Sequence, residues 1–133
     1  MIDLYSDYLS EPKSLSLEEM ERLHSEMAAE IGTDPDALDL YDELVEASVR
    51  YASFRANWHL WDRAVKAEKD AGRTSCHNMV IIKFNQLARY LKMQGRDAAW
   101  RDTLGYEEND PNLRKRIGDF ACYIVFVNSV SAR

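Results

Sequence analysis

The sequence predicts an all-α bundle of four main helices plus one short helix, folded as a single domain over residues 1–133. A chain of 133 residues has the length of one domain, and 46% hydrophobic residues can supply its core. Five Gly and three Pro leave little material for the many turns of an all-β fold. Apolar residues also recur at spacings of three and four along most of the chain, which is the helical period.

The first helix is bounded by strong local signals. Residues 1–15 show no clear period and are interpreted as an irregular lead-in. Ser16 followed by Glu19 is a capping-box pattern, in which each residue satisfies a backbone N–H of the other. Apolar residues at helical spacing then continue until Gly32, a typical residue just after a helix end. The sequence therefore predicts a first helix of about 15 residues.

The second predicted helix has the strongest period in the protein. Asp34 and Pro35 form an N-cap followed by proline, so the helix begins there and is predicted to run to about residue 70. Its apolar positions alternate in steps of four and three, as in a heptad seam. They are Leu40, Leu44, Ala47, Tyr51, Phe54, Trp58, Trp61 and Val65. The aromatic stripe of Tyr51, Phe54, Trp58 and Trp61 is interpreted as core, with a groove for a partner helix or flat ligand as the alternative.

The rest of the chain predicts three further helices. The polar stretch from Lys66 to Arg73, which contains Gly72, is interpreted as a connection or a frayed helix end, after which Thr74 or Ser75 caps a third helix that ends at Gly95. A short helix follows between residues 97 and 104, and the last helix spans about 112–131. The last helix contains eight successive apolar residues at 120–127, which could also form a strand. Because no second strand-like run exists to pair with it, we expect a helix, either central in the bundle or half-buried in a dimer contact.

The charge distribution, the first residues and the cysteines indicate in which cellular compartment the protein is expected. Residues 1–50 hold 14 acidic and 3 basic side chains, whereas residues 51–133 hold 9 acidic and 14 basic ones, so the two halves attract each other. The first residues lack a signal-peptide pattern, and no apolar run is long enough to span a bilayer. Cys76 and Cys122 are too few for a disulfide framework and are expected to be buried free thiols. We therefore expect a cytoplasmic protein without a cofactor.

Paired carboxylates in the acidic half suggest a metal hypothesis. Glu18 and Glu21, like Glu43 and Glu46, are three residues apart and share a helix face. Two such faces can hold Mg²⁺, as in nucleoside triphosphate pyrophosphohydrolases of the all-α kind, which this layout resembles loosely. Their second motif ordinarily ends in Asp where this chain has Glu46. In so acidic a segment, a solvated helix face is the preferred interpretation.

The basic half suggests a contact surface on the third helix. Asn78, Asn85, Arg89 and Arg96 fall on one stripe opposite the core face, with Arg101 and the basic cluster Arg114-Lys115-Arg116 beyond it. Amide and guanidinium groups suit the base edges and phosphates of nucleic acid. They equally suit an acidic protein surface or this chain's own first 50 residues. The sequence pI of about 5.1 disfavours strong non-specific binding to DNA.

Several motifs over roughly residues 50–133 resemble a known family. They are Arg73-Thr74-Ser75-x-His77-Asn78, Phe84-Asn85-x-Leu87-Ala88-Arg89-Tyr90-Leu91-Lys92, Ala98-Ala99-Trp100-Arg101-Asp102 and Ile117-Gly118-Asp119-Phe120-Ala121-Cys122-Tyr123. The family consists of small helical proteins, a domain of unknown function, from Gram-positive gut bacteria and their mobile elements. The resemblance implies a helical fold and a bacterial setting, and it brings no activity.

These observations favour a non-enzymatic interaction or regulatory module. The motifs of the common catalytic and nucleotide-binding sites are missing from the sequence, and the nearly all-apolar last helix favours self-association, as a homo-oligomer or with a protein partner. The alternatives are a Mg²⁺-dependent nucleotide phosphohydrolase that uses the paired glutamates and a nucleic-acid-associated regulator that uses the basic stripe.

Overall fold

The computed structural model describes residues 15–58, 60–104 and 111–131, so nearly all of the expected lead-in lies outside the described residues. The helices are α1 (Leu17–Ile31), α2 (Pro35–Trp58), α3 (Arg63–Met93), α4 (Ala99–Leu104) and α5 (Pro111–Ser131). The predicted all-α bundle with one short helix is confirmed. The apolar run at 120–127 lies within α5 and is helical.

Local capping signals fix both ends of α1 as the sequence predicts. The Ser16 hydroxyl accepts a hydrogen bond from the Glu19 N–H at 3.1 Å, and Glu19 Oε1 accepts one from the Ser16 N–H at 3.4 Å. The helix ends before Gly32, whose φ of 52° lies in the left-handed region that glycine adopts without strain. The buried face of α1 consists of Met20, Leu23, Met27 and Ile31.

The predicted continuation of the second helix to about residue 70 is wrong. Helix α2 ends at Trp58, and α3 begins at Arg63 after Asp62, whose Oδ1 accepts the N–H of Val65 at 2.9 Å. The apolar seam nevertheless persists through the break, because the Trp61 ring packs back onto Trp58 with ring centroids 5.9 Å apart. Two helices with packed aromatic rings at the break between them therefore stand where one continuous helix was predicted. Helix α3 runs back antiparallel to α2.

The connection or frayed helix end predicted around Gly72 is also wrong, since Gly72 lies inside the 31-residue α3. A methyl group at this position would lie 3.0 Å from Cζ of Phe54. Glycine is therefore present because the Phe54 ring of α2 presses against the α3 backbone. Thr74 and Ser75 are interior residues of α3 and do not cap it.

The core lies where α2 packs against α3 and α5. One face of α3 is buried from Val80 to Leu91, and His77 near its N-terminal side is half-buried. The ring of Phe84 stacks on Phe120 with centroids 5.6 Å apart, which joins α3 to α5. The apolar composition of α5 follows from this central position. Among the described residues, no helix combines the length and apolar character needed to cross a membrane.

The carboxylate of Glu30 in α1 accepts two hydrogen bonds from the start of the short helix α4. Glu30 Oε2 accepts the backbone N–H of Ala98 at 2.8 Å, and Oε1 accepts the indole N–H of Trp100 at 2.7 Å. Ala98 has a φ of 52°, unusual for a residue with a side chain, and both Ala98 and Trp100 are fully buried. Glu30 therefore holds a strained turn and a large core side chain at once.

Candidate functional site

The four glutamates of the metal hypothesis do not form a common site. All four side chains are on exposed residues. Glu43 accepts a hydrogen bond from the Lys83 ammonium at 2.8 Å, and Glu46 pairs with Arg50 at 2.8 Å. In the described part of the chain, no three His, Cys, Asp or Glu side chains are grouped so as to hold a metal ion. The alternative of a magnesium site using Glu18, Glu21, Glu43 and Glu46 is therefore not supported by this fold.

The predicted basic stripe is divided between the surface and the interior. Arg101 is only 1% exposed, and its Nε donates to Asn85 Oδ1 at 2.9 Å, so its expected role in surface contact is wrong. The reason is that α4 turns this side chain inward, where an amide partners it. Arg96 forms an ion pair with Asp34 at 3.1 Å, while Asn78 and Arg89 are exposed. The stripe is not one continuous surface.

The aromatic stripe is only partly core. Tyr51 is buried, whereas Phe54, Trp58 and Trp61 are half-buried at the end of the bundle where α2 gives way to α3. The ring planes of Phe54 and Trp61 are nearly perpendicular, with centroids 6.2 Å apart. These rings pack together at this end of the bundle, next to a polar cavity.

That cavity, of about 280 Å³, lies between α2, α3 and α5. Its lining residues are polar or aromatic, and four of them are permanent cations. The lining, hereafter the basic cavity, consists of Tyr51, Arg55, Arg73, Thr74, His77, Arg114 and Lys115. No carboxylate is among these described lining residues, although the whole chain carries a net charge of −6. The cavity is therefore a local positive region in an acidic protein.

Arg55 is held at the base of the cavity by a buried ion pair. Its Nη2 lies 2.6 Å from Oδ1 of Asp119, a fully buried residue of α5. Nη1 also approaches Cys122 Sγ at 3.9 Å, and Cys122 and Cys76 are half-buried rather than fully buried as expected. Burial acts to lower the pKa of Arg55, but its negative neighbours outweigh that effect and raise it. The guanidinium is thus charged and fixed in direction.

His77 and Tyr51 form the aromatic side of the cavity. Their rings stack with centroids 4.7 Å apart and planes 26° from parallel. Burial, reinforced by the charge of Arg114, lowers the pKa of His77 to about 4. Burial likewise raises the pKa of Tyr51, with Arg55 acting in the opposite direction. At neutral pH the cavity therefore contains a neutral imidazole and a neutral phenol beside permanent cations.

The remaining cations are also oriented by contacts. The Arg73 guanidinium carbon lies 4.1 Å from the centroid of the Trp58 ring, and Nη2 pairs with Asp70 at 3.1 Å. Arg114 Nη2 donates to the neutral amide of Asn78 at 2.9 Å. The amide of Asn78 does not neutralise the guanidinium of Arg114, whereas the carboxylate of Asp70 offsets part of the charge of Arg73.

Close helix packing makes the arrangement possible. A methyl group on Gly118 would lie 2.7 Å from Tyr51 Oη and 3.2 Å from two ring carbons. The absent side chain lets the Tyr51 ring lie directly on α5, which brings Arg114 towards Tyr51 and His77.

Sequence reasoning missed this cavity because its residues come from three separate segments that it interpreted in different ways. Tyr51 was predicted to be core, Arg73 to lie in a connection, and Arg114 to belong to a general basic cluster. A signal was present, since Tyr51 and Arg55, like Arg73 and His77, are four residues apart and share a helix face.

The chain was compared with family models, curated proteins and solved structures, and none of these comparisons finds a match. The resemblance of residues 50–133 to a bacterial family of small helical proteins therefore stays a prediction. What the chain can bind must be inferred from the geometry of the basic cavity itself.

Proposed function

We propose that the protein is a non-enzymatic helical binding module whose basic cavity holds the anionic group of a ligand or partner. The observation that carries this proposal is the convergence of four cations from three helices on one cavity. Two of them, Arg55 and Arg73, are paired with carboxylates behind the lining, and no described lining residue is itself a carboxylate. Charge-assisted hydrogen bonds from guanidinium groups to oxyanions are roughly twice as strong as hydrogen bonds between neutral groups. Tyr51 and Thr74 add neutral hydroxyl groups that can donate.

Pre-organisation supports the same proposal. Arg55 is fixed by Asp119, Arg73 lies over an aromatic ring, and Arg114 is bonded to an amide before any ligand arrives. Ordering a flexible side chain on binding costs about 0.5–1.5 kcal/mol, so side chains that are already ordered retain more of the interaction energy as affinity. This distinguishes the basic cavity from a set of mobile surface lysines.

The test is calorimetric titration of the protein with inorganic phosphate and sulfate at low ionic strength. We expect Arg114→Ala to weaken binding about tenfold or more, because a hydrogen bond to a charged group contributes roughly 1.5–3 kcal/mol. Arg89→Ala is the matched control, since it removes the same charge from an exposed site on α3 outside the cavity. Equal losses in both variants would indicate non-specific charge attraction, and absence of binding to the wild-type protein would overturn the proposal.

Self-association, with a second copy or another protein, and a cytoplasmic location stay predictions. The apolar residues of α5 that suggested self-association include Phe120, Ala121 and Ile124, which are fully buried within the single chain. The hydrolase alternative loses its support, because the four glutamates share no metal site in the described part of the chain. The nucleic-acid alternative stays a prediction, with Asn78 and Arg89 exposed on α3.

A further inference from the structure

We propose that the basic cavity binds a diphosphate group, with one phosphoryl group beside Arg114 and the other beside Arg73, so that a single phosphate fills only part of the cavity. The inference rests on the proposed anion-binding function and adds the class of anion. The positions at which the two guanidinium groups are held, the charge balance of the lining and the volume of the cavity support it.

The guanidinium groups of Arg73 and Arg114 are held at two separate points along α3. Arg73 Nη2 pairs with Asp70 Oδ1 at 3.1 Å, and its guanidinium carbon lies 4.1 Å from the centroid of the Trp58 ring. Arg114 Nη2 donates to Asn78 Oδ1 at 2.9 Å. Asp70 and Asn78 are short side chains of one helix, eight residues apart, so their levels along the helix axis differ by about 12 Å. The fold therefore holds two cations at different levels of one cavity.

This separation is too large for one phosphate to bridge in place. Each Nη2 atom lies about 3 Å from its anchor on α3, so the two atoms stay at least about 6 Å apart along the axis even if both lean inwards. The two anchors also lie about 80° apart around the helix, which adds sideways distance. A guanidinium N–H binds an oxyanion at about 2.7–2.9 Å, and all oxygens of one phosphate surround a single phosphorus atom. One phosphate would therefore have to pull a guanidinium from its anchor, whereas two phosphoryl groups joined by an oxygen reach both.

The charge balance of the cavity suits an anion with more than one negative charge. Arg55 is paired with Asp119 and Arg73 with Asp70, so these two cations are partly compensated. Arg114, by contrast, donates to a neutral amide. The four lining cations and the two paired carboxylates leave a net charge of +2. This charge disfavours singly charged anions, and the separation of the guanidinium groups then favours two phosphoryl groups over one.

The volume of the cavity also agrees with a ligand larger than one phosphate. Its 280 Å³ equal the share of roughly nine water molecules, at about 30 Å³ each in liquid water. One phosphate has four oxygen atoms and replaces fewer than half of these water molecules, whereas a diphosphate has seven oxygen atoms. Thr74 on α3 and Tyr51 on α2 add hydroxyl donors to the lining. A diphosphate therefore occupies most of the space and is met by donors from several helices.

The experiment is calorimetric titration with inorganic phosphate, pyrophosphate and adenosine diphosphate at neutral pH, constant ionic strength and without divalent cations. We expect pyrophosphate to bind at least about tenfold more tightly than phosphate, because it engages a second guanidinium group. Equal affinities of phosphate and pyrophosphate would overturn the diphosphate inference, while the proposed anion site would stand. No binding of any probe would remove the proposed function as well.

Pyrophosphate and adenosine diphosphate distinguish the source of the group. Tighter binding of adenosine diphosphate indicates a nucleotide, and tighter binding of pyrophosphate indicates the free ion; either result supports the proposal as long as pyrophosphate binds more tightly than phosphate. A short single-stranded DNA without terminal phosphates is the fourth probe, since its phosphate groups are separate diesters. Tighter binding of this DNA than of pyrophosphate would overturn the proposal.

Arg73→Ala is the decisive variant, because it removes the cation at one end of the cavity only. We expect its pyrophosphate affinity to fall about tenfold and its phosphate affinity to change by less than about threefold, so that the preference largely disappears. Lys69→Ala is the matched control, since Lys69 is an exposed cation one turn from Arg73 on α3 and lies outside the lining. Equal losses of pyrophosphate affinity in both variants would indicate attraction by overall charge and contradict the proposal. The ratio of the two affinities in the wild-type protein tests the proposal even if Arg73→Ala does not fold.

Discussion

Replacing Gly118 by alanine tests the packing that shapes the basic cavity. The position lies in the interior of α5, where glycine is normally unfavourable and alanine would stabilise a helix by about 1 kcal/mol. In this fold the new methyl group would lie 2.7 Å from Tyr51 Oη and 3.2 Å from Cε2 and Cζ. Helix propensity thus predicts that Gly118→Ala raises the free energy of unfolding, whereas tertiary packing predicts that it lowers it.

The expected size follows from these distances. A carbon–oxygen contact of 2.7 Å is shorter than an ordinary contact by roughly 0.5–1 Å, so the phenol ring must move by about that amount. Tyr51 is buried and stacked on His77, and the ring cannot tilt without disturbing that stack. Overpacking of this kind costs typically about 1–3 kcal/mol. After the gain of about 1 kcal/mol in helix propensity, we expect a net loss of up to about 2 kcal/mol in the free energy of unfolding.

A double-mutant cycle isolates the contact from other effects. Urea unfolding followed by circular dichroism is measured for the wild type, Gly118→Ala, Tyr51→Phe and the double variant. Removing the hydroxyl removes the atom nearest to the new methyl group, so Gly118→Ala should cost less in the Tyr51→Phe background by about 1 kcal/mol. Phosphate affinity should fall in Gly118→Ala, because the displaced ring lines the basic cavity.

Two results would refute this reasoning. If Gly118→Ala stabilises the protein by about 1 kcal/mol, helix propensity alone governs the site and Tyr51 does not lie on α5. If the substitution has the same cost with and without the Tyr51 hydroxyl, the close approach is not the cause.

Two further predictions concern local signals in the fold. Glu30→Gln keeps the size of the side chain but weakens the acceptors of two buried N–H groups, so we expect a loss of about 1–3 kcal/mol by urea unfolding. The control Glu26→Gln breaks only an exposed pair with Arg22 and should change stability by less than about 0.5 kcal/mol; similar losses in both would disprove the role of Glu30. Asp62→Ala should cost about 1 kcal/mol in the same assay through loss of the α3 N-cap. An unchanged Asp62→Ala protein would instead indicate a helix that continues past Trp58.

Local chemistry made much of the fold predictable. The capping box at Ser16 and the left-handed position at Gly32 fixed α1 to the residue, because both ends depend on neighbours in sequence. The break after Trp58 was not found, because the apolar seam continues through it and the N-cap signal of Asp62 was overlooked. Gly72 was interpreted as a helix breaker, yet its reason for being glycine is Phe54, 18 positions away in sequence. Only the folded structure reveals such a contact.

The basic cavity was less predictable than the fold. The sequence showed that the second half of the chain is basic, but it did not show which basic side chains are buried and which line the cavity. Arg101 turns into the core, and Arg55 is paired with Asp119. Which cations face the cavity depends on the rotation of three helices about their axes. The pattern of apolar residues sets that rotation only to within a wide sector.

The two interior glycines, one in α3 and one in α5, each allow an aromatic ring from α2 to pack directly against the helix backbone. At Gly72 of α3 and Gly118 of α5, an aromatic side chain of α2 lies close to the position where a Cβ would stand. The spacing of α2 from both helices therefore depends on ring packing at these two positions. Replacing a cation would change the charge of the basic cavity. A larger residue at either glycine would instead change how closely the helices pack, without altering a charge.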